Sequence, residues 1–166
     1  MNLKSTIGGL AGALVLTALN ESIKRIDKDA PRLDLLGMNA VAKLIKGGGS
    51  KKLIKGEKLE PVSLTGDLLA NSLYYGMADA GKDEQTYVRG TLLGLGAGLG
   101  ALTLAKPLGL DEAAPYAPLK TKALTVAYYV IGGLVAATVI NLLSNRSSEE
   151  ETSGSAIDIT ENGQHK

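Results

Sequence analysis

The chain contains no cysteine, no tryptophan and no phenylalanine, and only one histidine among its 166 residues. Without cysteine there is no disulfide framework, no thiolate nucleophile and no thiolate metal site. The lone His165 stands beside the last residue, so no apolar segment carries a histidine base or a histidine ligand pair. A surplus of one charge is missing too, since 18 Lys and Arg balance 17 Asp and Glu to a net +1. That balance, with no aromatic residues interleaved among the basic ones, argues against a nucleic-acid partner. G-x-S-x-G and H-E-x-x-H are absent, and GLGAGLG at 94–100 lacks the Walker lysine and the flanking strand that a nucleotide loop requires. No catalytic set, metal site or cofactor is expected.

What the chain has in quantity is glycine, 21 residues, set within long uncharged runs. Residues 7–19, 90–105 and 123–140 hold no group that is charged at neutral pH. Crossing a hydrocarbon core of about 30 Å takes roughly 17–25 helical residues. Residues 123–143 reach that length unaided; 87–105 does so with Arg89 reaching back to the headgroups, and 5–23 with Asn20 and Glu21 near its end. A fourth segment, 61–78, opens with Pro61 in a first-turn position and carries Asp67 and Asn71. A carboxylate at helix centre costs about 2.5–3.5 kcal/mol on insertion, so this segment needs its neighbours. The expectation is an all-α polytopic membrane protein, a four-helix transmembrane bundle over 1–143, followed by a disordered acidic tail over 144–166.

The glycines fall at helical spacing. Gly8 and Gly12, then Gly90, Gly94 and Gly98, then Gly132 and Gly133 offer flat faces on which helix backbones approach closely. The 87–105 segment, with Gly96 and Gly100 as a second face, is the expected centre of the bundle or of a homo-oligomer. A membrane protein partner could use the same faces.

Between the first two spans, Pro31 to Lys46 repeats Leu33, Leu36, Ala40, Val41, Leu44 and Ile45 at helical spacing and stops at Gly47-Gly48-Gly49. This predicts an amphipathic helix over 31–46 lying in the headgroup layer. Lys43, Lys46, Lys51, Lys52 and Lys55 would then meet lipid headgroups, at about 1 kcal/mol per lysine near an anionic surface. Thirteen of the 18 Lys and Arg fall in the two loops 24–60 and 106–122. By the positive-inside rule those loops are cytoplasmic and both termini lie outside.

Depth gathers the polar residues of the spans toward the cytoplasmic end: Glu21, Asp67, Asn71, Thr103, Lys106, Thr125 and Tyr128 form an expected intramembrane cluster. It could serve an oligomeric transporter or channel, or, through Glu21 and Asp67, an enzyme acting on a lipid-like substrate. Alternatively, Asp67 hydrogen-bonds Tyr128 or Thr103 and serves only packing. The leading reading is a non-enzymatic helix-packing, lipid-contacting or accessory protein.

The segments DAPRLDLLGMNAVAKLIK (29–46), VRGTLLGLGAGLGAL (88–102) and AKPLGL (105–110) resemble those of a family of small bacterial multi-pass inner-membrane proteins, over positions 1 to about 143. The resemblance implies a bacterial inner-membrane location. It carries over no activity, substrate or catalytic residue.

Overall fold

A computed structural model describes residues 2–33, 39, 59–81, 83–109 and 117–162. It is helical throughout, with no strand among the described residues. Four helices follow one another among the described residues: α1, Leu3–Ile23; α2, Leu59–Gly76; α3, Thr86–Leu104; and α4, Leu119–Asn162. Two short 3-10 turns, Met77–Asp79 and Asp83–Gln85, join α2 to α3. Asn2 caps α1, its side chain accepting from the Ser5 amide at 2.8 Å. Two of the helices, Leu3–Ile23 and the stretch Leu119–Ser147 of α4, are long and apolar enough to cross a membrane.

α4 is the central element. It packs along α1 on one side and α3 on another, and α2 packs chiefly on α1. The expected centre was the 87–105 segment, and the reason for the difference lies in one dipeptide. Successive helical residues point about 100° apart, so Gly132 and Gly133 open two different faces of α4 at one level. Gly132 meets α1 and Gly133 meets α3. A Cβ at Gly12 would strike the Gly132 carbonyl and lie 2.9 Å from the Ala136 Cβ; a Cβ at Gly90 would lie 2.5 Å from the Gly133 carbonyl oxygen. Gly94 rests on Tyr129 and Val130, and Gly98 on Val126, with similar closeness. Gly8 continues the α1 contact against Ala136 and Ile140, while Gly9 faces the other way, onto Ser72 and Gly76 of α2.

The interior is correspondingly made of small groups. Ala13, Ala78, Ala136 and Ala137 are fully buried, and the larger core side chains are Leu16, Tyr75, Tyr128, Tyr129 and Ile140. Leucines are turned outward instead: Leu69 is 59% exposed, Leu92 61% and Leu142 59%, with Leu10, Leu14, Leu73 and Leu99 also exposed. At one end of the bundle, Lys4 donates to Ser144 at 2.8 Å and lies 3.9 Å from Asp79, tying α1 to α4 and to the turn after α2. Arg89 donates to the Ala78 carbonyl at 2.8 Å beside Gly81, whose φ of 128° suits glycine.

The last helix runs past the boundary expected for the final span. α4 does not stop at 143 but continues as helix to Asn162. Between 144 and 162 there is no proline, and the Glu-rich run propagates a helix already nucleated upstream more readily than it would start one. The expected interfacial helix, with Lys43, Lys46, Lys51, Lys52 and Lys55, falls outside the described residues apart from its first turn and Asn39.

Replacing Gly133 by Leu is expected to detach α3, and replacing Gly132 by Leu to detach α1. Each should destabilise by at least about 1–3 kcal/mol, the usual cost of overpacking. Gly66 has open space where a Cβ would go, so Gly66→Ala is the control and should be neutral or mildly stabilising. Thermal unfolding in detergent, followed by circular dichroism, checks this; equal melting of all three variants would refute the backbone-contact account.

Candidate functional site

Tyr74 is where α2 reaches α3. Its hydroxyl donates to the Leu93 carbonyl at 3.1 Å, and its ring meets Tyr75 edge-on at 5.9 Å. Tyr75 is itself fixed, donating to the Tyr129 carbonyl of α4 at 2.8 Å. Below this brace the two helices part. An open cleft of about 450 Å³ runs between them, with Ala70, Asn71 and Tyr74 on the α2 side. Gly96, Ala97, Gly100 and Ala101 form the α3 wall, Leu104, Ala105 and Leu108 continue it, and Tyr129 of α4 also lines the space. Small residues at four successive facing positions of α3 leave the space; a Cβ at Gly100 would meet nothing nearer than Leu104 at 3.8 Å.

The polar residues expected to cluster are only partly brought together. Asp67 and Asn71 do meet, the Asn71 amide donating to Asp67 Oδ1 at 3.0 Å one turn along α2. This takes the place of the expected bonds to Tyr128 or Thr103. Thr103 is exposed and donates back to Leu99 at 2.8 Å, and Lys106 is exposed beyond the end of α3. Glu21 is paired with Lys24 on its own helix. Thr125 is buried and donates to the Thr121 carbonyl at 2.8 Å, within α4. The direction of these groups around their helices separates them. Among the described residues no three acidic or histidine side chains gather as a metal site would need.

Among the described residues, two buried hydroxyls, Thr17 Oγ1 and Tyr128 Oη, meet no hydrogen-bond partner. Tyr128 belongs to the core with Leu16 and Tyr75 rather than to a polar cluster. Asn20, expected only as a polar residue near the end of the first span, is buried and accepts from the Leu33 amide at 3.4 Å. The missed junction lies at Asp27 and Asp29. Asp27 pairs with Lys120 at 2.5 Å and accepts from the Asp29 amide, and the Asp29 carbonyl accepts from Thr121 at 2.7 Å. Their sequence separation of about ninety residues hid this pairing.

Compared with family models, curated proteins and solved structures, the chain matches none. The geometry alone must carry the function.

Two outcomes follow from these groups. Tyr128→Phe removes an unpartnered buried hydroxyl and should stabilise the bundle by about 1–3 kcal/mol in a denaturant titration; destabilisation would mean that the hydroxyl is satisfied. The Asp27 carboxyl is held below its ordinary range, first by the hydrogen bond from Lys120 and then by the Asp29 amide. A folded value below the unfolded one, near ~3.9, gives a contribution present above roughly pH 4 and lost as pH falls through the lowered value. The melting difference between the wild type and Asp27→Asn should therefore hold at neutral pH and close in acid; a difference unchanged at low pH would contradict the pairing.

Proposed function

We propose that the protein is a non-catalytic polytopic membrane protein whose four helices all cross the bilayer, acting as a packing and lipid-contacting accessory element. The observation that carries this reading is the inverted distribution of side-chain size: glycine and alanine at the helix contacts, leucine on the outside. In water, Leu69, Leu92, Leu99 and Leu142 would contribute more if buried, and glycine in a helix interior costs about 1 kcal/mol. In lipid, outward leucines are solvated by acyl chains, and close packing of small residues drives association. A helix such as α2, with Asp67 midway along, is tolerated where Asn71 answers the carboxylate and the helix packs on α1.

The resemblance and the Lys and Arg distribution support a bacterial inner-membrane location with both termini outside the cytoplasm. Lipid is the first partner, and a second membrane protein or a further copy would use whatever glycine surface remains open. A lipid-hydrolysing role through Glu21 and Asp67 lacks its geometry, because each carboxylate is answered within its own helix, by Lys24 and by Asn71. A closed polar path for transport is not favoured either, with Thr103 and Lys106 directed outward.

The absence of native cysteine makes topology directly testable. Single cysteines from position 61 to 78 should react with a membrane-impermeant maleimide from the cytoplasmic side near Ser63 and be protected from Leu68 to Tyr75. Labelling along the whole stretch would take α2 out of the bilayer and overturn the four-span reading.

A further inference from the structure

Where α1 begins and α2 ends, the helices leave an open pocket of about 570 Å³ at one end of the bundle. Asn2 and Ser5 line it from the start of α1, and Gly76, Met77 and Ala80 from the end of α2, with Asp79 among them. The crossing at Gly9, which seats α1 on Ser72 and Gly76, lies one turn further in, and the small residues Ser5, Gly76 and Ala80 leave the space beyond it unfilled. The Asp79 side chain is only 8% exposed, and the Lys4 ammonium stands 3.9 Å from its carboxylate. That separation balances the charge but is too long for a hydrogen bond, while Lys4 donates to Ser144 at 2.8 Å. A carboxylate withdrawn from water needs hydrogen-bond donors as well as a countercharge, and it offers about four acceptor positions. The pocket therefore meets its occupant with an acidic wall that has a positive nitrogen close by.

We infer that this pocket binds the headgroup of an ethanolamine phospholipid, its ammonium donating to the Asp79 carboxylate and its phosphate held in the field of the Lys4 ammonium. The protein's two charges, 3.9 Å apart, are complementary to a zwitterion whose own opposite charges are joined by a short carbon link. A charge-assisted hydrogen bond is the contact that Lys4 does not give this carboxylate, and a primary ammonium brings three N–H donors for it. A choline headgroup, methylated at nitrogen, has no such donor, and a glycerol headgroup has no positive charge. The volume is within the roughly 300–1,000 Å³ range of small-molecule sites. The acyl chains have a path as well. Met77 lines the pocket and is exposed, and Leu73 and Leu69 stand exposed behind it at four-residue intervals, so the three form one apolar row leading from the pocket along α2. That row favours a lipid over a free zwitterion. The site rests on the lipid-contacting, four-span reading, in which the start of α1 and the end of α2 lie at the headgroup level on the side away from the cytoplasm.

The test uses the full chain in dodecylmaltoside micelles, titrated calorimetrically with dioctanoyl phosphatidylethanolamine, with protein-free micelles as background. One saturable site per chain is expected, and dioctanoyl phosphatidylcholine should bind at least about tenfold more weakly, the scale of a lost charge-assisted hydrogen bond. Asp79→Asn should bind both lipids alike at the weaker level, while circular dichroism and gel filtration remain those of the wild type. O-phosphoethanolamine, the same headgroup without tails, should bind at least about tenfold more weakly than the ethanolamine lipid, because it gains nothing from Met77 and Leu73. Ethanolamine-lipid binding no greater than background, or equal affinity of the wild type for the two lipids, overturns the proposal; this comparison needs no variant and stands even where Asp79→Asn fails to fold. A preference for ethanolamine retained by folded Asp79→Asn overturns the role of the carboxylate, and O-phosphoethanolamine binding as tightly as the lipid overturns the membrane source. Thiol labelling of 61–78 fails separately: an ethanolamine preference with α2 labelled throughout would overturn the four-span reading, and no preference with α2 protected would overturn this site alone.

Discussion

The contact between the Gly132-Gly133 dipeptide of α4 and the backbones of α1 and α3 is the constraint on which the rest of this architecture depends. Two helices approach a third at one level, with carbonyl oxygens where side chains would ordinarily stand. Such closeness makes van der Waals attraction between backbones the main cohesive force, and it leaves little interior for large residues to fill. The leucines then have nowhere to go but outward. The tyrosines serve as the exceptions that fill the remaining gaps: Tyr75 reaches α4, Tyr74 reaches α3, and Tyr129 closes the space beneath them.

The same tightness explains why a cleft exists at all. α3 is drawn onto α4 by Gly90, Gly94 and Gly98, and α1 is drawn onto α4 by Gly8 and Gly12. α2 follows α1 through Gly9 and so lies away from α3, with Tyr74 spanning the difference. The face of α3 that carries Gly96 and Gly100 is therefore not used for packing against α4. It forms the wall of an open space whose α2 side is Ala70, Asn71 and Tyr74.

Much of this was legible in the chain and some was not. The first three helices fall within a few residues of the expected segments, and the fourth begins near its own, because apolar length is a local property. The glycine pairs were legible as surfaces, yet their partners were not: choosing Gly132-Gly133 over the 90–100 series as the hub depends on which residues of three helices share a level. The polar cluster shows the same limit. Counting along the chain assigns Asp67, Thr103 and Thr125 a common expected depth, but which way each faces is decided only by the packed helices. Asp27 with Lys120 could not have been paired by spacing, since the link is made by the chain's return. The helical course of 144–162 was not legible, because acidic composition suggests solvation but does not by itself interrupt a helix already under way.

That last helix has a reach the others lack. Its 44 residues, at 1.5 Å each, extend about 66 Å, more than twice the roughly 30 Å of a hydrocarbon core. With its first half embedded as proposed, its second half stands clear of the headgroups as a continuous mast bearing Glu149, Glu150 and Glu151 on its stem. Any tilt of the embedded half about the α1 and α3 contacts is then magnified by leverage toward Asn162 at the far end.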